Sequence, residues 1–185
     1  MESSELKSTR AILDRFKKAT EEASELLRNQ EYQQAMALYY DASRSADEMC
    51  ERFIKLLMKT APSNAHRILL VEVLSWRLRY YTTQYDYHLA VAQTLSGLPR
   101  EEWIARLETI LVLSQSLVAK LLPFLKDVTD PGITGRIRQV LTDWVSGIHD
   151  LVANLRVWGI PSAQAAQVLE WAFDNSIEAH PLEDE

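Results

Sequence analysis

The hydrophobic positions between residues 65 and 95 predict a helix that is buried on two sides. Seam 1 repeats at intervals of three or four residues: Val71, Leu74, Leu78, Tyr81, Tyr85, His88, Ala92 and Leu95. Seam 2 runs along the other side: Leu69, Val73, Trp76, Tyr80, Tyr87 and Val91. A surface helix carries one apolar stripe, so two stripes predict neighbours on both sides. We therefore expect this helix to be the element around which the rest of the chain packs.

Five further segments show the same helical period, and no segment alternates with the period of a strand. Their expected bounds are 4–28, 31–60, 99–128, 134–158 and 163–178. The segments that interrupt the pattern contain helix-terminating residues: Asn29-Gln30, Ser96 to Pro99, Asp130 to Gly132, and Gly159 to Ser162. Asn29 is expected in the left-handed position after the first helix, and the segment that ends with Ser162 is expected to cap the last helix. Within the fourth helix, Pro123 removes one backbone hydrogen bond and is expected to produce a bend.

Short connections between long helices favour antiparallel neighbours, and the spacing of the seams favours shallow crossing angles. The sequence therefore predicts an all-α fold, an elongated up-and-down antiparallel bundle of five long helices plus a short C-terminal helix. We expect residues 1–180 to form a single domain and residues 181–185 to form a frayed acidic tail.

The charge and the apolar runs argue against two kinds of partner, nucleic acids and membranes. The formal net charge of the 185 residues is −6, whereas a surface for nucleic acid or for an anionic membrane must be basic. The most apolar run, from Ile110 to Leu125, is interrupted by Lys120 and Pro123 and is short for a membrane span. The single cysteine, Cys50, suits a reducing compartment. We expect a cytoplasmic protein that binds neither nucleic acid nor membrane.

No residue pattern indicates an enzyme or a metal site. None of the four histidines follows a glutamate by three residues, and no cysteine pair is present. Asp143, Ser146 and His149 are three residues apart, but they lack the turn and the oxyanion loop of a serine triad and fit a solvated helix face better. Cys50 adjoins a core position and is interpreted as a structural thiol. We expect no catalysis, no cofactor and no metal.

The candidate partner-binding residues lie in the second half of the 65–95 helix. They are aromatic and closely spaced: Tyr80, Tyr81, Tyr85, Tyr87 and His88. Each tyrosine hydroxyl needs a partner or water, so the core is expected to be wetter and nearer the surface here. Tyrosine anchors also carry a large share of the binding energy in interfaces. A core that tapers towards solvent is the alternative interpretation of the same residues.

A separate pattern covers residues 11–45. It consists of Leu26-Leu27, then Asn29-Gln30-Glu31-Tyr32 at a turn, then Ala35, Leu38-Tyr39 and Ala42. The pattern resembles the helical hairpin of tetratricopeptide repeats and of the similar microtubule-interacting-and-trafficking domains. The resemblance implies a module that binds a peptide or a helix without catalysis.

These observations predict a non-enzymatic protein–protein interaction module, acting as an adaptor, a scaffold or a regulatory subunit. Its expected partner is another protein that docks through a helix or a peptide, and a homo-oligomer is compatible with the sequence. The alternative is a sensor or carrier whose apolar small molecule lies between helices near the tyrosines. A preformed internal pocket would favour the small molecule, and an exposed groove would favour the protein partner.

Overall fold

The computed structural model describes residues 4–94, 100–127, 130–160, 162–175 and 177. Six helices account for about 90% of them, and no strand occurs within these ranges. The helices are α1 (Ser4–Arg28), α2 (Tyr32–Leu57), α3 (Asn64–Thr94), α4 (Arg100–Asp127), α5 (Pro131–Val157) and α6 (Ala163–Asp174). The prediction of an all-α protein with five long helices and a short C-terminal one is confirmed.

The chain divides into two compact units, residues 1–97 and residues 98–185, and each is described by itself. Unit 1 contains α1 to α3, and unit 2 contains α4 to α6. The expected single domain over residues 1–180 stays a prediction. The expected stop at Ser96 to Pro99 and the expected tail at 181–185 lie outside the described residues.

The turn between α1 and α2 is closed by a left-handed residue, and this residue is Gln30. Its φ is 63°. The Glu31 amide donates to the Leu26 carbonyl at 2.8 Å, and the Gln30 amide donates to the Leu27 carbonyl at 3.1 Å. These two bonds form the Schellman motif that ends a helix. The expectation that Asn29 would take the left-handed position is wrong by one residue, because these two hydrogen bonds place Gln30 there.

Small residues lie where α1 meets α2. Ala19, Ala23, Ala35 and Ala42 are all buried, which lets the two backbones approach closely. Larger side chains complete the core towards the open end of the hairpin, where the ring of Phe16 packs edge-on against Trp76 of α3 at 5.3 Å. Within unit 1, α2 packs along both α1 and α3.

Both seams of α3 are buried or half-buried from residue 69 to residue 92, as predicted. No residue from 68 to 92 is exposed. Seam 2 faces the core of unit 1, where Val73, Trp76 and Tyr80 pack on the α1 and α2 side chains and Tyr87 packs near Tyr39. Val71, Leu78 and Tyr85 of seam 1 are buried as well. The remaining side of the helix carries polar residues, of which Glu72, Arg79 and Asp86 are half-buried.

Unit 2 is built around Trp144 of α5. This side chain is completely buried, and its Nε1 donates to Ser114 Oγ of α4 at 2.9 Å. Its ring also meets Trp171 of α6 edge-on at 6.3 Å. One side chain thus contacts both other helices of the unit, and the Trp144–Ser114 hydrogen bond fixes the register of α5 on α4.

The start of α5 differs from the prediction. Asp130 caps the helix by accepting from the amides of Gly132 at 2.8 Å and Ile133 at 3.2 Å, with Pro131 in the first helical turn. Asp130 to Gly132, expected as a turn before Thr134, is therefore the N-terminal cap itself. The expected cap of α6 is confirmed, because Ser162 Oγ accepts from the Ala165 amide at 3.1 Å.

Helix α4 is the most apolar element. It continues through Pro123 to Asp127. By length and composition alone it could cross a membrane, because its most apolar stretch of 18 residues has a mean hydropathy of 1.4. Core helices of soluble proteins have similar length and hydropathy, and α4 carries one buried stripe that includes Leu107, Leu111 and Leu121. Helix α4 is therefore a weak candidate for a membrane span.

Candidate functional site

The five predicted partner-binding residues do not form one exposed patch. Tyr85 is fully buried, with no accessible surface, whereas Tyr80, Tyr81, Tyr87 and His88 are half-buried. The expectation that Tyr85 lies close to the surface is wrong, because packing encloses its side chain completely, although Tyr81 and His88 of the same seam are only half-buried. Whether the other four bind a partner stays a prediction.

The half-buried aromatic residues are arranged as two edge-on pairs. The rings of Tyr80 and Tyr81 are 5.4 Å apart at an angle of 71°, and those of Tyr87 and His88 are 5.4 Å apart at 78°. Tyr80 also lies beneath the guanidinium of Arg77 at 5.6 Å. In each pair, the seam 2 tyrosine is anchored in the core of unit 1. These contacts explain the tyrosines as amphipathic core residues.

A second candidate surface, not anticipated from the sequence, is an open groove between α1 and α2. Its first half has a volume of about 670 Å³ and its second half, next to the α1–α2 turn, about 630 Å³. Glu22 and Leu38 line both halves, so the two are continuous. We call this surface the α1/α2 groove. Its apolar floor consists of Ala19, Leu26, Ala37 and Leu38.

The rims of the α1/α2 groove are charged. Seven carboxylates line it: Glu22, Glu25, Glu31, Asp41, Asp47, Glu48 and Glu51. Three cations line the first half only: Arg15, Lys18 and Arg44. The half next to the turn therefore carries carboxylates and no cation among its lining residues.

Several of these charges already have partners. Arg15 reaches Glu48 at 2.7 Å across the groove, Lys18 lies 3.7 Å from Glu22 on the same helix, and Asp47 binds Arg77 at 2.8 Å. By contrast, Glu25 and Glu31 have no lysine or arginine partner among the residues that the structure describes. The turn end of the groove therefore offers carboxylates whose charge is not neutralised.

The alanines between α1 and α2 are the sequence signal for this groove. Short side chains bring the helices together, so the longer side chains beside them form two rims with a trough between. The seam pattern shows which residues pack, but it does not give the height of the rims. The groove is therefore visible only once the two helices are placed.

Unit 2 contains a smaller, more apolar groove between α5 and α6. Its two connected parts have volumes of about 240 and 300 Å³ and share Val152, Arg156 and Ala166. Phe173 lines one part and is 51% exposed. We call this surface the α5/α6 groove. Its lining is mostly apolar, with one cation, Arg156, in both parts and two carboxylates, Glu170 and Asp174, in the part that Phe173 lines.

The residues whose types suggest chemistry have structural partners. Cys50 is buried, its Sγ donates to the Val73 carbonyl at 3.6 Å, and burial raises the pKa of the thiol, which disfavours the nucleophilic thiolate. Asp143 accepts from Gln139 at 2.7 Å, while His149 lies 3.6 Å from Asp150. Within the described ranges, no group of three or more His, Cys, Asp or Glu residues is placed to hold a metal ion.

Comparison of the chain with protein-family models, with curated proteins and with solved structures finds no significant match.

Proposed function

We propose that this protein is a non-catalytic, cytoplasmic protein–protein interaction module that binds a partner helix or peptide in the α1/α2 groove. The observation that supports it is the groove itself, a continuous open trough with an apolar floor and polar rims. Helix-in-groove docking uses surfaces of this kind: the apolar stripe of the partner fills the trough, and the rims set orientation and specificity.

The size of the groove fits a short helix. On the α1 side the lining runs from Arg15 to Asn29, which is 14 residue steps. At 1.5 Å per residue this is roughly 21 Å, or about four helical turns. Both halves are open to solvent, so a macromolecular segment can enter along the length of the groove. An enclosed cavity would instead have favoured a small molecule.

The test is a selection from a displayed library of helix-forming peptides, followed by measurement of the selected peptides on two matched variants. Ala37→Trp fills the floor of the groove from an exposed position, whereas Ala11→Trp adds the same side chain to an exposed position of α1 outside it. We expect Ala37→Trp to weaken binding by about tenfold or more, because the trough is blocked, and Ala11→Trp to have no effect.

The same peptides distinguish the groove from the tyrosines of α3. If Tyr81→Ala abolishes binding while Ala37→Trp leaves it unchanged, the partner docks on the half-buried tyrosines and the location proposed here is refuted. Circular dichroism melts of all three variants establish that each is folded. Peptides that bind neither region, or no selected peptide at all, would refute the proposed function.

The α5/α6 groove supports a second candidate function, the binding of an apolar small molecule. Its two parts together lie within the range of about 300–1,000 Å³ for ordinary ligand sites. Arg156 also lines the part that contains no carboxylate, where it could pair with an anionic headgroup. Titration with an anionic fluorescent apolar probe should then show saturable binding. Ala166→Trp should abolish it, and Ala153→Trp, exposed on α5 outside the groove, should not. Binding that is equal in both variants would refute this candidate.

A further inference from the structure

We propose that the occupant of the α1/α2 groove is a cationic amphipathic helix of about four turns, an inference that rests on the proposed function. The partner would place an apolar stripe on the floor and lysine or arginine side chains along both flanks. The cationic character of the partner is inferred from the distribution of charge in unit 1.

Unit 1 is neutral overall, but the groove is not. Residues 1–97 contain 13 acidic and 13 basic side chains. The groove is lined by seven of those carboxylates and by three of those cations. The negative charge of the groove is therefore a local feature, and it does not reflect an acidic background over the whole unit. A surface of this kind attracts a cationic partner and repels an anionic one.

The carboxylates lie on both rims, which favours a helix over an extended cationic tail. Glu22 and Glu25 stand on α1, one turn apart, and Glu31 stands at the start of α2 on the opposite rim. The floor between them is apolar, with Leu26 and Leu38 both half-buried. Basic flanks separated by an apolar stripe occur together on an amphipathic helix, and its stripe covers the floor between the rims.

The first half of the groove accommodates the same partner after a local exchange of ion pairs. Arg15 is 61% exposed and holds Glu48 across the trough. An exposed pair of this kind contributes little to stability, so a partner cation can replace Arg15 at low cost. The turn end needs no such exchange, because Glu25 and Glu31 have no cationic partner among the described residues. We therefore expect the turn end to dominate the electrostatic attraction.

The experiment measures the binding of four labelled synthetic peptides by fluorescence anisotropy. All have about 14 residues, long enough for a helix to form on binding. Three share one leucine and alanine stripe and differ only in their flanks, which are lysine, glutamine or glutamate. The fourth is a scramble of the lysine peptide with the same charge but no stripe. We expect the lysine peptide to bind about tenfold or more tightly than the glutamine peptide at low salt, and this advantage to shrink as salt is added.

Two double variants of equal charge locate the binding. Glu25→Gln with Glu31→Gln removes two carboxylates at the turn end, whereas Asp14→Asn with Glu21→Gln removes two exposed α1 carboxylates outside the groove. The first should weaken binding of the lysine peptide by roughly 2- to 30-fold, the range for two exposed charge pairs. The second should leave it unchanged. Neither alters a buried side chain, and thermal melts confirm that both fold.

The outcomes separate this inference from the proposed function. If the glutamine or glutamate peptide binds as tightly as the lysine peptide and binds more weakly to the Ala37→Trp variant, the groove binds helices, but the cationic class of the partner is wrong. If the scrambled peptide binds equally well, or both double variants weaken binding equally, the attraction is non-specific and the inference is overturned. If none of the four binds, the inference is likewise overturned, while the displayed-library selection decides the function independently.

Discussion

The hydrogen bond between Trp144 and Ser114 should be the most sensitive polar contact in unit 2. Both side chains are completely buried, the indole Nε1 donates to Ser114 Oγ at 2.9 Å, and the same hydroxyl donates to the Leu111 carbonyl at 2.8 Å. Ser114→Ala leaves the indole N–H without this acceptor in a site closed to water. An unsatisfied buried donor costs about 1–3 kcal/mol, so we expect a loss of about 2 kcal/mol.

A double-mutant cycle isolates this contact from the change in volume. Trp144→Phe removes the donor and also leaves a void, which should cost about 2–3 kcal/mol. In that background, Ser114→Ala no longer strands a donor, so its further cost should fall to about 0.5 kcal/mol or less. The two substitutions should therefore be non-additive by about 1–2 kcal/mol.

The assay is equilibrium unfolding in guanidinium, followed by tryptophan fluorescence. Four of the five tryptophans belong to unit 2, so the signal reports mainly on this unit. Ser116→Ala is the matched control: Ser116 is exposed on the same helix, and its hydroxyl donates to the Val112 carbonyl at 3.0 Å. We expect the control to be neutral or slightly stabilising. The reasoning would be refuted if Ser114→Ala lowered the free energy of unfolding equally in the wild-type and Trp144→Phe backgrounds, or did not lower it at all.

Gln30→Gly should stabilise the protein by about 0.5–1 kcal/mol in thermal or chemical unfolding, because glycine removes the strain of the left-handed φ; a destabilised variant would contradict this. Burial, with a smaller contribution from Asp86, raises the pKa of Tyr39 above its ordinary value near 10. Stability should therefore fall as the pH rises above about 10, because only the unfolded chain then loses this proton, and Tyr39→Phe should make the fall less steep. If Tyr39→Phe leaves the pH dependence of stability unchanged, Tyr39 is not the cause of the fall. Tyr85→Ala should cost about 3–5 kcal/mol, as expected for a fully buried aromatic side chain, and a loss below about 1 kcal/mol would show that it is not packed. Pro123→Ala should be neutral or stabilising by about 1 kcal/mol or more, because the alanine restores a helical N–H at an exposed position; a large loss would mean that packing requires the proline.

The helices were predictable because each carries a strong periodic pattern, and their ends were predictable only within a few residues. Asn29 was expected in the left-handed position that Gln30 takes, since both residues follow the last seam position and the hydrogen bonds decide between them. Thr134 was expected to begin α5, yet Asp130 caps it four residues earlier. A cap and a turn use the same residue types, so composition alone does not separate them.

The candidate sites were less predictable than the fold. Tyr85 and Tyr81 share one seam, but Tyr85 is fully buried and Tyr81 is not, a difference that depends on the depth of the packing and not on its period. The α1/α2 groove arises from the distance between two helices and from the side chains beside their contact. Seam patterns describe what is buried, so a surface made by the rims was not visible in them.

The direct test of the α1/α2 groove is a nuclear magnetic resonance titration of the labelled protein with the lysine-flanked amphipathic peptide. The account predicts that the largest amide shift changes lie along the groove, at Leu26, Ala37 and Leu38, with smaller changes on the outer face of α1 around Asp14. Shift changes concentrated at Tyr81 and His88 of α3, or spread evenly over the acidic surface, would contradict it.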